Sequence, residues 1–125
     1  MSKAKVLYIE DNPDNMILVK RVLEIEGYEV IQAASGTEGL AKALKDPPDI
    51  IITDINLPDI DGYEITSSLK KQAATAHIPV VAMTANVMQK DRDNVFGAGC
   101  DGYISKPIDV DELPVQIESF LKGAS

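Results

Sequence analysis

Several features are scarce or missing in this 125-residue sequence. Cys100 is the single cysteine, so no internal disulfide can form, and this usage suits a reducing compartment. No apolar run approaches the roughly 20 residues that a membrane-spanning helix requires. The N-terminus also lacks the apolar region of a signal peptide. These absences predict a cytoplasmic protein that does not enter a membrane.

Clustered positive charge is missing as well. The formal net charge is −8 at pH 7, and there is no basic stripe of the kind that neutralises nucleic-acid phosphates. The single histidine, His77, precedes Ile78-Pro79, and we interpret it as a solvated loop residue. The letters Gly97-x-Gly99-x-x-Gly102 match a dinucleotide fingerprint, but they precede a predicted strand instead of following one. Neither nucleic-acid nor dinucleotide binding is indicated.

The overall composition is that of an ordinary globular domain. Apolar residues make up 45% of the chain and charged residues 26%, close to the averages for such proteins. The length suits one domain with a substantial core. We expect a single domain over residues 1–125, with its core at about 5–121 and no output domain.

Strand-like and helix-like segments alternate along the chain. Five predicted strands cover residues 6–9, 29–33, 50–54, 80–83 and 103–104, and a predicted helix follows each strand. The fourth helix, over residues 86–96, has the most polar sequence. Alternation of this kind is typical of βα units around a parallel sheet. The pattern predicts a doubly wound α/β fold with helices on both faces of the sheet.

Capping signals define most helix boundaries. Pro13 suits the first position of a helix capped by Asn12 or Asp11, and this helix should stop at Gly27. Ser35 and Glu38 form a capping box for the second helix, which ends at Pro47-Pro48. The third helix starts at Asp61-Gly62.

Pro114 constrains the start of the last helix. A cap at Asp111 would place Pro114 in the first turn, where its missing N–H costs little. A cap at Asp109 would push Pro114 deeper into the helix and risk a kink. The sequence leaves both starts open.

The third predicted strand is central to the sequence. Ile50-Ile51-Ile52 is an uninterrupted β-branched run, as expected for a strand buried on both faces. The run ends in the carboxylate of Asp54, and Asn56 and Pro58 then turn the chain. Open α/β sheets bind ligands at the carboxyl ends of such strands, so Asp54 is a candidate site residue.

Chemically active side chains follow four of the predicted strands. They are Glu10-Asp11 after the first strand, Asp54 at the end of the third, Thr84 after the fourth and Lys106-Pro107 after the fifth. Because these ends share one edge of the sheet, we expect the side chains to converge. Clustered carboxylates require a cation, and hard oxygen ligands beside a phosphate favour Mg²⁺. A carboxylate nucleophile, a metal and a lysine are the components of a phosphoryl-transfer site.

Each member of this set has an ordinary structural explanation when it is taken alone. Glu10-Asp11 could cap the first helix, Thr84 could be a strand-end hydroxyl, and Lys106 could be a surface lysine. Their coincidence at successive strand ends favours the functional interpretation.

With these residues in place, the chain resembles the receiver domains of two-component response regulators, especially the stand-alone kind. The resemblance covers Lys5 to about Leu121. The matching stretches are Val6-Leu7-Tyr8-Ile9-Glu10-Asp11-Asn12, Asp54-Ile55-Asn56-Leu57-Pro58 with Gly62, Met83-Thr84-Ala85, and Tyr103-Ile104-Ser105-Lys106-Pro107. It implies a flavodoxin-like fold with strand order 2-1-3-4-5 and five helices.

The resemblance also implies a role for each acidic residue. Asp54 would accept a phosphoryl group from the phosphohistidine of a histidine kinase or a histidine phosphotransfer protein. Asp11 and Asp54 would bind Mg²⁺ directly, the backbone carbonyl of Asn56 would be a third ligand, and Glu10 would act through water. Such a chain assists its own phosphorylation and dephosphorylation without turning over external substrates.

The same resemblance implies a conformational switch. Thr84, Ala85 and Lys106 would contact the phosphoryl group, and the Lys106–Pro107 bond would be cis. Tyr103 would move inward with Thr84 and remodel the face formed by the fourth helix, fifth strand and fifth helix. A downstream protein would bind there, and the chain would be a monomer or a weak phosphorylation-dependent dimer.

Three rival functions use related chemistry or the same fold. A haloacid dehalogenase-type phosphatase needs an acid two residues after its nucleophile, where this chain has Asn56. A flavin module needs a Ser/Thr/Gly-rich loop after the first strand, where Glu10-Asp11 would repel the flavin phosphate. A degenerate receiver would serve only as a protein-binding scaffold, but this site looks complete.

Overall fold

The computed structural model describes residues 4–55, 57, 59–60, 62–84, 99–106 and 108–123. Five strands lie in this part of the chain: β1 (Lys5–Ile9), β2 (Glu29–Ala33), β3 (Ile50–Asp54), β4 (Val80–Thr84) and β5 (Gly102–Ser105). Four helices accompany them: α1 (Pro13–Ile25), α2 (Gly36–Lys45), α3 (Gly62–Lys70) and α4 (Leu113–Gly123). The helix predicted over residues 86–96 lies outside the described residues, so α4 corresponds to the last predicted helix.

The strands form one sheet in the order β2-β1-β3-β4-β5. All four neighbouring pairs are parallel. In register, Tyr8 lies beside Ile52, and Asp54 lies beside Met83. The predicted doubly wound sheet and its strand order are confirmed, and the carboxyl ends of β1, β3, β4 and β5 meet along one edge.

Alternating side chains on the strands build a core on each face of the sheet. On one face, α1 and α4 cover Val6, Tyr8, Ile50, Ile52, Val81 and Met83. On the other face, α2 and α3 cover Leu7, Ile9, Ile51 and Val80. β3 is fully buried, as its β-branched run predicts. Fixing this strand from both sides also fixes Asp54 at its end.

The helix ends follow the capping signals in the sequence. The Asn12 side chain accepts hydrogen bonds from the backbone N–H groups of Asp14 (2.9 Å) and Asn15 (3.1 Å). Gly27 follows α1 with φ +96°, a conformation that favours glycine. The Ser35 hydroxyl accepts the Glu38 N–H at 3.1 Å. These contacts confirm Asn12 as the cap of α1 and Ser35 as the cap of α2.

The start of α4 has features of both alternatives that the sequence left open. The Asp109 carboxylate accepts the N–H groups of Asp111 (3.0 Å) and Glu112 (3.2 Å) and so caps a preceding turn. The helix itself starts at Leu113. Pro114 therefore occupies the first turn even though Asp109 supplies the capping carboxylate.

Asp59 ties the segment after β3 to the start of α2. Its carboxylate accepts the N–H groups of Gly36 and Thr37, both at 2.9 Å, and the Thr37 hydroxyl at 2.6 Å. The Thr37 side-chain and backbone donors, with the Gly36 N–H, lower the pKa of Asp59. This tether holds the chain beyond Asp54 against the neighbouring helix.

Other structural expectations are also tested. Cys100 is buried, with its Sγ 3.3 Å from the Thr66 hydroxyl, as expected for a small core residue. His77 is exposed in a turn. Among the helices in the described ranges, none has the length and apolar composition needed to cross a membrane.

Candidate functional site

Three carboxylates converge at the carboxyl edge of the sheet. Glu10 and Asp11 directly follow β1, and Asp54 is the last residue of β3. One carboxylate oxygen from each residue lies within 4.8 Å of the other two. Glu10 and Asp54 are buried, whereas Asp11 is exposed. The site therefore has an acidic floor and one acidic group facing solvent.

Lys106 places a positive charge between the two buried carboxylates. Its Nζ lies 2.8 Å from Asp54 Oδ2 and 3.2 Å from Glu10 Oε1. The backbone N–H of Lys106 donates to Thr84 O at 2.8 Å, which anchors the residue just after β5. The predicted convergence of Glu10, Asp11, Asp54 and Lys106 is present in the structure.

Glu10 is held by several donors besides Lys106. The Tyr8 hydroxyl donates to Glu10 Oε1 at 2.9 Å, and Asn15 Nδ2 donates to the same oxygen at 3.3 Å. The Asn12 N–H donates to Oε2 at 3.3 Å. The Glu10 N–H itself donates to Ala33 O at 2.9 Å, which extends the β1–β2 ladder by one residue. Both the backbone and the carboxylate of Glu10 are thus fixed.

The electrostatics of the pocket follow from burial and from like charges in contact. Burial, with the hydrogen bond and negative charge of Asp54, raises the pKa of Glu10, although Tyr8 and Lys106 oppose the shift. Burial alone would lower the pKa of Lys106, but Asp54 and Glu10 outweigh it and raise that pKa. Lys106 therefore stays protonated in this pocket.

Thr84 and Tyr103 lie on neighbouring strands beside the acidic residues. Thr84 is the last residue of β4 and is 7% exposed. Tyr103 is half-buried and pairs in register with Ala82. Because alternate residues share a face, Thr84 lies on the same face of β4 as Ala82, beside the Tyr103 side chain.

Three predicted site positions cannot be placed. Asn56, Ala85 and Pro107 lie outside the described residues. Their suggested roles as a backbone metal ligand, a phosphate contact and a cis-peptide candidate stay predictions.

The donor set fits a hard divalent cation. Carboxylate oxygens from three residues can face one ion, and oxygen ligands near a phosphate site are what Mg²⁺ prefers. Like charges this close repel by several kcal/mol even at an effective dielectric near 20. Lys106 offsets part of that repulsion, and a bound cation would offset more of it.

Reasoning from strand ends missed the contacts behind Glu10. The sequence places Tyr8 in the first strand and in a stretch that resembles receiver domains but predicts no role for it, and it does not single out Asn15. The signal for Tyr8 was available, because residues two apart on a strand share a face. For Asn15, the signal was its place in the first turn of a helix that starts just beyond Glu10.

Comparison with known proteins identifies the family. A family model described as the response regulator receiver domain matches residues 6–118. The chain is a response regulator receiver domain. Receiver domains are the signalling modules of two-component systems, and the family works with histidine kinases or phosphotransfer proteins and downstream targets. The resemblance seen in the sequence is therefore confirmed.

Individual relatives agree with this assignment over almost the whole receiver domain. The polar-differentiation response regulator DivK of Brucella ovis is 43% identical over 119 residues, covering 95% of this chain and 97% of that protein. The chemotaxis response regulator CheY4 of Vibrio cholerae is 31% identical with a TM-score of 0.90, covering 94% of this chain and 98% of that one.

A second similar structure bears on the metal. It is the receiver domain of a sensor histidine kinase from Pseudomonas aeruginosa PAO1, described with a magnesium ion coordinated in the active site cleft. It is 33% identical to this receiver domain, with a TM-score of 0.88 and coverage of 95% and 98% of the two chains.

Proposed function

We propose that Asp54 is the phosphoacceptor of this receiver domain and that Mg²⁺ binds beside it. The observation that carries the proposal is the contact of 2.8 Å between Lys106 Nζ and Asp54 Oδ2, within a pocket that Glu10 and Asp11 also line. A nucleophilic carboxylate, a fixed cation and two further carboxylates are the groups that phosphoryl transfer to an aspartate requires.

The proposed reaction moves one phosphoryl group from a phosphohistidine on a partner protein. An Asp54 carboxylate oxygen attacks phosphorus, the new O–P bond forms as the P–N bond breaks, and the electron pair stays on the imidazole nitrogen. Lys106 is placed to contact a phosphoryl oxygen and stabilise its negative charge. Bound Mg²⁺, held by Asp11 and Asp54 with Glu10 nearby, would neutralise charge on the phosphoryl oxygens.

The donor is proposed to be a histidine kinase or a histidine phosphotransfer protein. His77 is the only histidine of the chain, and it lies in an exposed turn before β4, at the amino end of that strand. Because Asp54 lies at the carboxyl edge, the phosphohistidine must come from another protein. We propose that the chain assists gain and loss of its own phosphoryl group and does not turn over external substrates.

The signal is proposed to leave the site through Thr84 and Tyr103. These two residues share a face of neighbouring strands, and Tyr103 is half-buried in the present state. Movement of Thr84 toward a phosphoryl group would free space for the Tyr103 ring. The surface around β5 and α4 would then change for a downstream protein, as one new charge biases a two-state element.

Beryllium fluoride, a stable mimic of a phosphoryl group, provides the test. With Mg²⁺, it should shift the amide NMR signals of residues near Asp54, Thr84 and Tyr103. Asp54→Ala should abolish these shifts. Asp46→Ala is the matched control, because Asp46 pairs with Lys5 at 2.9 Å near the opposite edge of the sheet.

Two results would contradict the proposal. An unchanged spectrum in the wild-type protein would favour the scaffold function. Sustained hydrolysis of a general phosphomonoester would favour a phosphatase that uses an aspartyl phosphate.

A further inference from the structure

A buried tyrosine lies directly behind the acidic pocket. Tyr8 is 0% exposed and is two residues before Glu10, so both side chains point to the same face of the sheet. Its hydroxyl donates to Glu10 Oε1 at 2.9 Å and lies 3.5 Å from Met83 Sδ. This contact joins the apolar core to the acidic site.

The hydroxyl is not needed to fill the core. Tyr8 packs in a cluster whose neighbouring strand residues are apolar, among them Val6, Ile52 and Met83. A buried hydroxyl destabilises such a layer unless it is hydrogen-bonded. Since a thioether is a weak acceptor, the Glu10 carboxylate is the strong partner. The hydrogen bond to Glu10 is therefore the main interaction of the Tyr8 hydroxyl.

The other two donors to Glu10 Oε1 hold this oxygen less firmly than Tyr8 does. Lys106 is shared with Asp54, and phosphoryl transfer would draw its ammonium toward a phosphoryl oxygen. Asn15 makes a longer contact of 3.3 Å from the half-buried side of α1. Tyr8 makes the shortest of the three contacts, and its ring is enclosed by the core. Its bond can persist while the site changes its charge.

We propose that Tyr8 is a positioning residue for the magnesium site. Its hydroxyl fixes the orientation of the Glu10 carboxylate before the cation binds. Cation binding then does not have to restrict the rotation of this side chain. Hydrogen bonds from outer residues to metal-binding carboxylates are known to orient the ligands and strengthen metal binding. This inference rests on the proposed function, because it requires a divalent cation between Glu10, Asp11 and Asp54.

The test compares Mg²⁺ dissociation constants, measured by NMR titration of the full chain with MgCl₂. Tyr8→Phe keeps the ring and should raise the dissociation constant about tenfold, at the lower end of such effects because other donors remain. Tyr28→Phe is the matched control. Tyr28 is 5% exposed in the same core cluster but precedes β2 at the opposite edge of the sheet, so Mg²⁺ binding should not change.

A double-mutant cycle separates positioning from a general structural effect. If Tyr8 acts through Glu10, then Y8F should weaken Mg²⁺ binding in the wild-type background and have little further effect in the E10Q background. An equal loss in both backgrounds, or no loss in either, would overturn the assignment. If the wild-type protein binds no Mg²⁺, it is the proposed function that fails.

A measurement on the wild-type protein alone covers the case in which Y8F does not fold. The hydroxyl proton of Tyr8, buried and bonded to a carboxylate, should be visible by NMR. It should shift yet persist when Mg²⁺ is added. Its disappearance on Mg²⁺ binding would contradict a positioning role.

Discussion

Among the described residues, Lys106 supplies the positive charge that offsets the buried carboxylates of the site. Its ammonium lies between Asp54 and Glu10, and its side chain is 20% exposed. Removing one partner of a buried ion pair costs far more than removing an exposed pair, because a charge is left without compensation. The lysine therefore stabilises the fold of the metal-free protein as well as serving the proposed reaction.

Lys106→Met should lower the free energy of unfolding without Mg²⁺ by about 1–2 kcal/mol, less than for a fully buried pair because the site is partly exposed. Labelling of Asp54 by a small phosphodonor should slow by at least about tenfold. Urea unfolding and labelling kinetics measure the two effects. Lys122→Met is the control, because the Lys122–Glu118 pair is exposed. Equal stability of K106M and wild type would contradict the charge-balance argument.

The raised pKa of Glu10 gives a prediction with a definite sign. The folded protein holds the Glu10 proton more tightly than the unfolded chain, whose carboxyl keeps its ordinary pKa of 4.5. Without Mg²⁺, stability should therefore fall as pH rises through the raised pKa. Glu10→Gln removes this loss and should therefore be more stable than wild type at pH 7.

Urea unfolding of both proteins across pH 4–8 checks the effect of Glu10→Gln. The difference in free energy between variant and wild type should shrink toward pH 4. An E10Q protein that is less stable than wild type at pH 7 would show that the Glu10 charge is net favourable in the fold.

Among the secondary-structure elements, α2 is held in place by contacts from distant parts of the chain. Asp59 caps its first turn from the segment after β3. Gly39 allows α2 to approach β1, because a Cβ at this position would overlap Ile9 Cδ1. The placement of α2 thus depends on β1 and on the segment after β3, both of which adjoin the acidic site.

Asp59→Asn tests the tether. The Asp59 pKa lies below its ordinary value of 3.8 in the folded protein, so its stabilising effect is complete above that value and is lost as pH falls below it. The variant should unfold at a lower urea concentration than wild type at pH 7, and the difference between the two midpoints should shrink as the pH falls below 3.8. Identical midpoints at pH 7 would show that the carboxylate charge contributes nothing to the tether.

Local signals predicted the elements well, and long-range contacts less well. Asn12, Gly27 and Ser35 act within a few residues of the helix ends they define, so their roles can be read from the sequence. Asp59 and Thr37 are 22 residues apart in the sequence, and no local sequence pattern predicts a contact between them. Leu44 follows Leu40 by one helical turn, yet it is 41% exposed, because periodicity does not tell where the neighbouring elements end.

At the scale of the whole molecule, alternation of strands and helices was enough to predict a parallel sheet. The order of the strands came from the resemblance to receiver domains, because periodicity does not specify to which side each crossover leads. The convergence of Glu10, Asp54 and Lys106 then followed from the rule that strand ends share an edge. Strand alternation predicts that Tyr8 and Glu10 share a face, but an aromatic residue in a strand is ordinarily core, so only the structure shows the hydrogen bond between them.

The sheet edge brings together groups that are up to 96 residues apart in sequence, as in the Lys106–Glu10 contact. Each of these groups is held by a separate strand end, so the site exists only in the folded domain. Its proposed purpose is to hold a phosphoryl group on Asp54 in the presence of Mg²⁺.

The most direct measurement is the intact mass of the protein after incubation with Mg²⁺ and acetyl phosphate. The wild-type protein should gain the mass of one phosphoryl group, and a reductive tag should locate it on Asp54. Asp54→Asn, which keeps the size of the side chain, should gain nothing. An unmodified wild-type protein, or equal labelling of the Asp54→Asn variant, would contradict the assignment of Asp54 as the phosphoacceptor.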